Sequence, residues 1–410
     1  MKKSRQKPEI RVSYAQAVYG KEEIDAVVKV LGNPSKISPG AAVTEFENKI
    51  AKLFGKKYGI MVNSGSSANL IAFAALDLPP GSEVITPVLT FSTTVAPLVQ
   101  RGLVPVFVDV VEGAHIIDID KVEAAITKKT RALMIPSLFG NIPDFPRLKK
   151  IARKHKLVLI EDSCDTLGAQ WNGKSTGIHT DISTTSFYAT HAITAAGAGG
   201  MVCFNDPKLA RRARVMASWG RQSTLFGAFE KSEDIKRRFA GRIDGEVYDA
   251  KFLFTEVGYN MQSTELNGAF GLVQLTRLSG FTKLRQHRFK QIYDFVKKYG
   301  HLFILPVQDR RAHTSWMSFP LIIRSGAPFT RAEITKYLEE RNIQTRPLFT
   351  GNITRQPAYK KIRYRAGAES FPVADHVMRN GFVFGCHHGM SDGQVKYLLS
   401  IIEEFITAHA

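Results

Sequence analysis

The chain has 410 residues, 44% of them hydrophobic, enough to bury a large core and divide into a major and a minor domain. Its formal charge of +19 lies in scattered groups such as Lys149 to Lys156, Lys236 to Arg242 and Lys360 to Arg365, without an interleaved aromatic platform; this argues for a solvated surface and against nucleic acid, leaving steering of an anionic substrate or weak attraction to acidic lipid. Three cysteines without paired spacing, Cys164, Cys203 and Cys386, exclude a zinc site and a disulfide framework and fit a cytoplasmic protein, while the basic Met1 to Lys7 is followed by no apolar leader and no apolar run reaches the roughly 18 residues of a membrane span.

From about residue 58 to 205, apolar β-rich runs alternate with helical stretches, which predicts an α/β fold with a mostly parallel, helix-covered sheet of seven strands. The first run, Tyr58 to Val62, leads into Asn63-Ser64-Gly65-Ser66-Ser67-Ala68-Asn69 and a helical segment. Small residues and hydroxyls at a helix start suit a phosphate, although a serine-rich cap without a ligand has the same appearance. The runs Glu83 to Val88, Val104 to Val110 and Ala132 to Leu138 follow, then a helix over Phe145 to His155. After Leu157 to Ile160 stand Glu161 and Asp162, acids at a strand mouth that bind a cation or cap the next loop. Ser183 to Tyr188 continues through Ala189 and Thr190 to His191, then to Gly197-Ala198-Gly199-Gly200 and the run Gly200 to Phe204. Taken alone, a histidine there is structural.

A helix is expected over Pro207 to Ser218, then a polar, irregular loop over residues 222–256. A long helical stretch from Thr264 to Lys298 opens a second part containing the strand-like Trp316 to Ile323. Capping-box spacing at Thr330 with Glu333 and Ser391 with Gln394 places helices near 331–341 and 392–408. The expected division is residues 1–264, a large α/β domain with an N-terminal arm, and residues 265–410, the long helix with a small α+β domain.

The 63–69 segment, Asp162 and the Ser186 to Gly200 stretch, in that order, resemble the DegT/DnrJ/EryC1/StrS sugar aminotransferase family over about residues 12–405. The resemblance implies the fold-type I pyridoxal-phosphate transferase fold and a homodimer with a shared active site. It also implies cofactor contacts from Gly65, Ser66, Ser67, Phe91, Asp162, Asp165, Ser186 and Asn260, with Asp162 on the pyridinium nitrogen. The substrate-side residues it implies are Tyr188, Arg221, Arg346, Asn352 and Arg355, and no metal is implied. The family's covalent lysine is replaced by His191, with no lysine between Lys174 and Lys208. That replacement resembles the family's sugar 3-dehydratase branch.

The branch implies non-covalent pyridoxal 5'-phosphate or pyridoxamine 5'-phosphate, a nucleotide-diphosphate 4-keto-6-deoxy sugar as substrate, and L-glutamate as amino donor. His191 then serves as the catalytic base. One related type carries an iron-sulfur cluster after a Trp-Gly-Arg motif; here Trp219-Gly220-Arg221 is followed by no cysteine before Cys386, so a cluster is not expected. A sugar-nucleotide aminotransferase, and a non-catalytic family member that lost the lysine, remain alternatives. Asp165 stands where many family members carry Gln or His, which fits either a dehydratase or an altered pocket.

Overall fold

Val104–Val108 and Glu83–Pro87 are buried at every residue, as strands of a parallel sheet covered on both faces must be. In the computed structural model, which describes residues 10–227 and 233–409, the large sheet has the order Tyr58–Val62, Gly200–Phe204, Ile182–Ser186, Val158–Asp162, Thr130–Pro136, Glu83–Pro87, Val104–Val108 and Arg365–Ala366. Gly200–Phe204 runs antiparallel to both neighbours, and the other pairings are parallel. The seven runs visible in the sequence are all present. The eighth strand, two residues long, comes from the distant C-terminal part and pairs beside Val104–Val108.

Crossover helices flank the sheet and start on side-chain caps. Ser64 accepts from the Ser67 amide at Gly65–Leu76, Asp144 from the Arg147 amide at Phe145–Lys154, and Asp206 from the Lys208 and Leu209 amides at Pro207–Ala217. Ile182–Ser186 is buried throughout although most of its residues are polar. Its hydroxyls are satisfied inside: Thr184 Oγ1 donates to Asn69 Oδ1 (2.6 Å) and Thr185 Oγ1 to the Ser163 carbonyl (3.0 Å).

A second, antiparallel sheet has the order Phe303–Ile304, Ser318–Ile323, Gly381–Gly385 and Thr345–Pro347. Helices Arg331–Glu340 and Asp392–His409 lie where the capping boxes predict them. The N-terminal segment joins this part, since Val12 pairs with Ile343.

The 222–256 segment differs from its expectation as an irregular loop. It holds a helical turn at Ile235–Arg238 and a hairpin of Gly241–Ile243 with Glu246–Tyr248. Asp244 and Gly245 form the hairpin loop, both at positive φ (52° and 90°), and Asp-Gly is a favoured pair for that turn. Residues 228–232 of that segment, like Met1 to Lys7, lie outside the described residues. Among the described residues no helix is long and apolar enough to cross a membrane.

The helix Glu265–Val296 ties the halves together. The Glu265 carboxylate accepts from the amides of Gly40 (2.7 Å), Ala42 (2.6 Å) and Val43 (3.2 Å), which cap the start of the neighbouring helix Ala41–Leu53. The two helices approach closely at Gly268, where a Cβ would lie 2.5 Å from the Val43 nitrogen. Glu265→Ala is expected to lower stability by about 2–4 kcal/mol by stranding those donors, measured as the shift in a urea unfolding midpoint.

Candidate active site

The carboxyl ends of the parallel strands enclose a cavity of about 360 Å³, the position at which ligands enter open α/β sheets. One wall is the first turn of the helix Gly65–Leu76. Its leading amides have no intrahelical acceptor, and the helix dipole adds positive potential. Gly65 is required by packing: a Cβ would sit 2.7 Å from Ser186 Cβ and 2.8 Å from Cys164 Sγ. Ser66 Oγ donates to Thr93 Oγ1 at 2.9 Å, and Ser186 Oγ accepts from the Tyr188 amide at 3.2 Å. These residues therefore offer an anion short donors on a rigid frame.

Glu161 and Asp162 are separated by strand alternation, which sends successive side chains to opposite faces. Glu161 is fully buried and accepts from Ser163 Oγ and Thr180 Oγ1 (both 3.1 Å). Asp162 faces the cavity instead. Its Oδ2 accepts from Asn69 Nδ2 (2.8 Å) and Thr94 Oγ1 (2.9 Å), and its Oδ1 from the Cys164 amide (3.2 Å). Phe91, half-exposed, lies on the wall with its ring edge toward Phe349 (5.7 Å between centroids).

His191 sits on the loop between Ile182–Ser186 and Gly200–Phe204. The loop folds back on itself: the Phe187 carbonyl accepts from Thr194 Oγ1 (3.0 Å) and the Ala195 amide (3.1 Å), and the Phe187 amide donates to Gly199. His191 Nδ1 is buried with no hydrogen-bond partner and lies 3.7 Å from Asp165 Oδ1. Burial, then the Arg285 cation, push the imidazole down to about 4, with Asp162 opposing. It is neutral at physiological pH by a wider margin than an unperturbed histidine. Burial pushes the Asp165 carboxyl up to about 7 against the Phe139 amide, which donates to it at 2.9 Å, and Asp162 adds to the rise. Uncharged imidazole and half-ionised carboxyl thus stand side by side, an arrangement able to accept and return a proton.

Of the residues singled out in the sequence, Gly65, Ser66, Phe91, Asp162, Asp165, Ser186, Tyr188 and His191 meet at this cavity. The others stand off its wall. Ser67 donates to Asn63 Oδ1 (2.6 Å). Asn352 Nδ2 donates to Asp375 Oδ1 (2.7 Å), and Arg355 is ion-paired with the same Asp375. Arg346 is half-exposed beside Tyr14, its guanidinium 5.6 Å from that ring. Arg221 stacks over Trp219 (4.5 Å), Phe252 (5.4 Å) and Phe254 (5.9 Å), and Asn260 is exposed. Of the stretch that carries Arg346, Asn352 and Arg355, Phe349 reaches the cavity and the arginines do not.

Sequence reading missed Asn69, Thr94, Tyr14 and Met317. Asn69 was recoverable, since it lies one helical turn beyond Gly65. Tyr14 and Met317 carry no local signal.

The sequence pattern described as the DegT/DnrJ/EryC1/StrS aminotransferase family matches residues 18–403. The chain is 38% identical over 382 residues to a dTDP-4-dehydro-2,6-dideoxy-D-glucose 3-dehydratase of Saccharopolyspora spinosa, covering 90% of this chain and 81% of that one. It is 31% identical over 406 residues to a GDP-4-keto-6-deoxy-D-mannose 3-dehydratase of Yersinia pseudotuberculosis, covering 96% and 99%. A solved E. coli GDP-4-keto-6-deoxy-D-mannose-3-dehydratase with bound hydrated PLP superposes with a TM-score of 0.84 at 29% identity, covering 96% of this chain and 99% of that one.

The raised Asp165 carboxyl has a consequence for stability. An unfolded aspartate ionises near pH 4, so between about pH 4 and 7 the folded chain retains a proton that the unfolded chain releases, and this site's contribution falls as pH rises. His191, displaced the other way, contributes stability that is lost as pH falls from about 6.5 to about 4. Asp165→Asn removes the first effect alone. Its unfolding free-energy advantage over the parent, measured by urea titration at each pH, is expected to grow from pH 4 to 7 and then level off at about 2–4 kcal/mol; a difference independent of pH would show that Asp165 ionises normally.

Proposed function

The chain belongs to the DegT/DnrJ/EryC1/StrS aminotransferase family, whose relatives act on nucleotide sugars, and we propose that it is a 3-dehydratase dependent on pyridoxamine and pyridoxal phosphate. Its substrate is a nucleotide-linked 4-keto-6-deoxyhexose in deoxysugar or surface-polysaccharide synthesis, and glutamate regenerates the amine form. One observation carries the reading: among the described residues no lysine lines the cavity, and His191 occupies the loop in which the family resemblance places one.

The residues present fit the cofactor. Gly65, Ser66 and Ser186 would hold the phosphate at the helix start, Phe91 would cover the ring, and Asp162 would pair with the pyridinium nitrogen. His191 lines that space, and its buried, unpartnered Nδ1 lies beside Asp165. When bound, the cofactor supplies an amine and an electron sink for carbanion chemistry.

The protein's own part is proton transfer. His191, uncharged, would accept a proton beside the bound cofactor and return it to the sugar's C3 oxygen, which leaves as water. An imidazole performs both transfers without trapping the aldehyde, whereas a lysine amine would compete for it. In sum, the sugar loses its C3 oxygen while glutamate becomes 2-oxoglutarate and ammonia, which balances atoms and electrons. Asp162 accepts three hydrogen bonds that orient its carboxylate toward the space for the ring.

Tyr188 at the cavity mouth and Arg346 beside Tyr14 are the proposed contacts for the sugar nucleotide. Asn352 and Arg355 would join them only by leaving Asp375. Arg221 and Asn260, near the exposed Phe252, Phe254 and Val257, are proposed to face a second copy in a homodimer. The position of Asp165 next to His191 favours a working site over a decayed one.

Incubation of the purified protein with pyridoxamine phosphate, glutamate and a panel of 4-keto-6-deoxy sugar nucleotides is expected to release ammonia in step with a 3-deoxy ketosugar. An amino sugar retaining its C3 hydroxyl would instead identify an aminotransferase. Borohydride treatment of the pyridoxal phosphate form should leave no cofactor on the protein. His191→Asn is expected to lower turnover about 100-fold to 10,000-fold while pyridoxamine phosphate, followed by its absorbance after dialysis, remains bound.

A further inference from the structure

Arg285 lies in the middle of Glu265–Val296 and is 1% exposed. Its Nε donates to His388 Nδ1 (3.1 Å), Nη1 to the carbonyls of Trp316 (3.3 Å) and Met317 (3.0 Å), and Nη2 to the carbonyl of His191 (3.2 Å). All four acceptors are uncharged. The His388 ring, stacked on Phe281 at 3.9 Å, is pushed down to about 2 by burial, then by Arg285 itself and by His387. Taking a guanidinium out of water without a hydrogen-bonded carboxylate is unfavourable by several kcal/mol. Such a charge persists only where the surrounding fold fixes it, and here three separate chain segments do so.

We infer that Arg285 is a positioning residue for His191, clamping the histidine's loop to the Trp316–Met317 wall of the cavity and fixing a positive charge behind the imidazole. Met317 and His191 both line the cavity, so one guanidinium sets the relative position of two of its sides. The groups facing His191 are Asp162 from the end of Val158–Asp162, Cys164 and Asp165 from the loop after it, Tyr188 from its own loop, and Tyr14 from the N-terminal segment. Cys386, His387 and His388 surround the Arg285 side. Asp162 favours a protonated histidine, and Arg285 opposes it. The fixed cation thereby keeps the imidazole able to accept a proton despite two nearby carboxyl groups. A lysine in place of His191 would set two cations in one buried pocket, so Arg285 and the histidine suit each other.

This inference rests on His191 as the proton-transfer group, but its test does not require turnover. In cofactor-free protein labelled on histidine and read by NMR, with His191→Asn assigning the signal, His191 is expected to stay neutral at pH 6. In Arg285→Met its apparent pKa should rise by about one unit or more, and the acid limb of the pH–rate profile should move with it. Arg285→Lys keeps the charge and loses the fork, so its histidine should titrate as in the parent while kcat falls about tenfold with KM unchanged. An unchanged His191 titration in folded Arg285→Met would overturn the inference. Should that variant not fold, a shift in Arg285→Lys to an ordinary histidine value would overturn it equally. An amino-sugar product with these titrations intact would defeat the dehydratase reading and leave the positioning role standing.

Discussion

Asp162 Oδ2 receives two donors at once, Asn69 Nδ2 from the helix Gly65–Leu76 and Thr94 Oγ1 from the helix Ser92–Gln100. The carboxylate itself is the last residue of the strand Val158–Asp162. Three elements are therefore fastened at a single oxygen, and the hydrogen bond of Thr184 Oγ1 to Asn69 Oδ1 adds a fourth. A buried carboxylate demands such donors, because an unpaired one would be expelled or neutralised. Satisfying it also fixes the helix start at which Gly65 and Ser66 present their amides. The helix-start end of the cavity and its acidic end are thus one construction.

Around that frame, low solvent access sets the chemistry. Asp165 and His191 are adjacent yet displaced in opposite directions, both mainly by burial, so that near neutrality the imidazole is uncharged and the carboxyl about half-ionised. A salt bridge between them would have placed the proton on the imidazole and left it charged. Their separation of 3.7 Å, beyond hydrogen-bond reach, and the Arg285 charge on the far side of the loop work against that outcome. The same guanidinium reaches the segments next to the second sheet through Trp316, Met317 and His388. The site's proton chemistry and the packing of the two sheets consequently share a residue.

Much of the fold was legible because burial leaves strong local marks. Strands covered on both faces read as continuous apolar runs, and capping boxes mark helix starts with side chains three residues apart. Asp244-Gly245 in the 222–256 segment is a mark of the same kind, a short turn signal inside a polar stretch, and it turns the hairpin there. The two-residue strand Arg365–Ala366 has no such mark. It pairs only because the chain returns to an edge that Val104–Val108 leaves open.

The sequence by itself determined the α/β class, the order of strand ends, and the substitution of His191 for a lysine, since each is a property of neighbouring residues or of a residue's identity. It also brought eight of the residues it singled out to one cavity, because strand ends in a parallel sheet gather on one edge. Tertiary structure alone decided that Glu161 turns away and Asp162 turns in, that Asn352 and Arg355 are held by Asp375, and that Phe349 reaches the cavity. It also set His191 before a buried cation 94 residues away in the chain. Contacts of that length depend on how helices and sheets pack in three dimensions, and no pattern of adjacent residues records them.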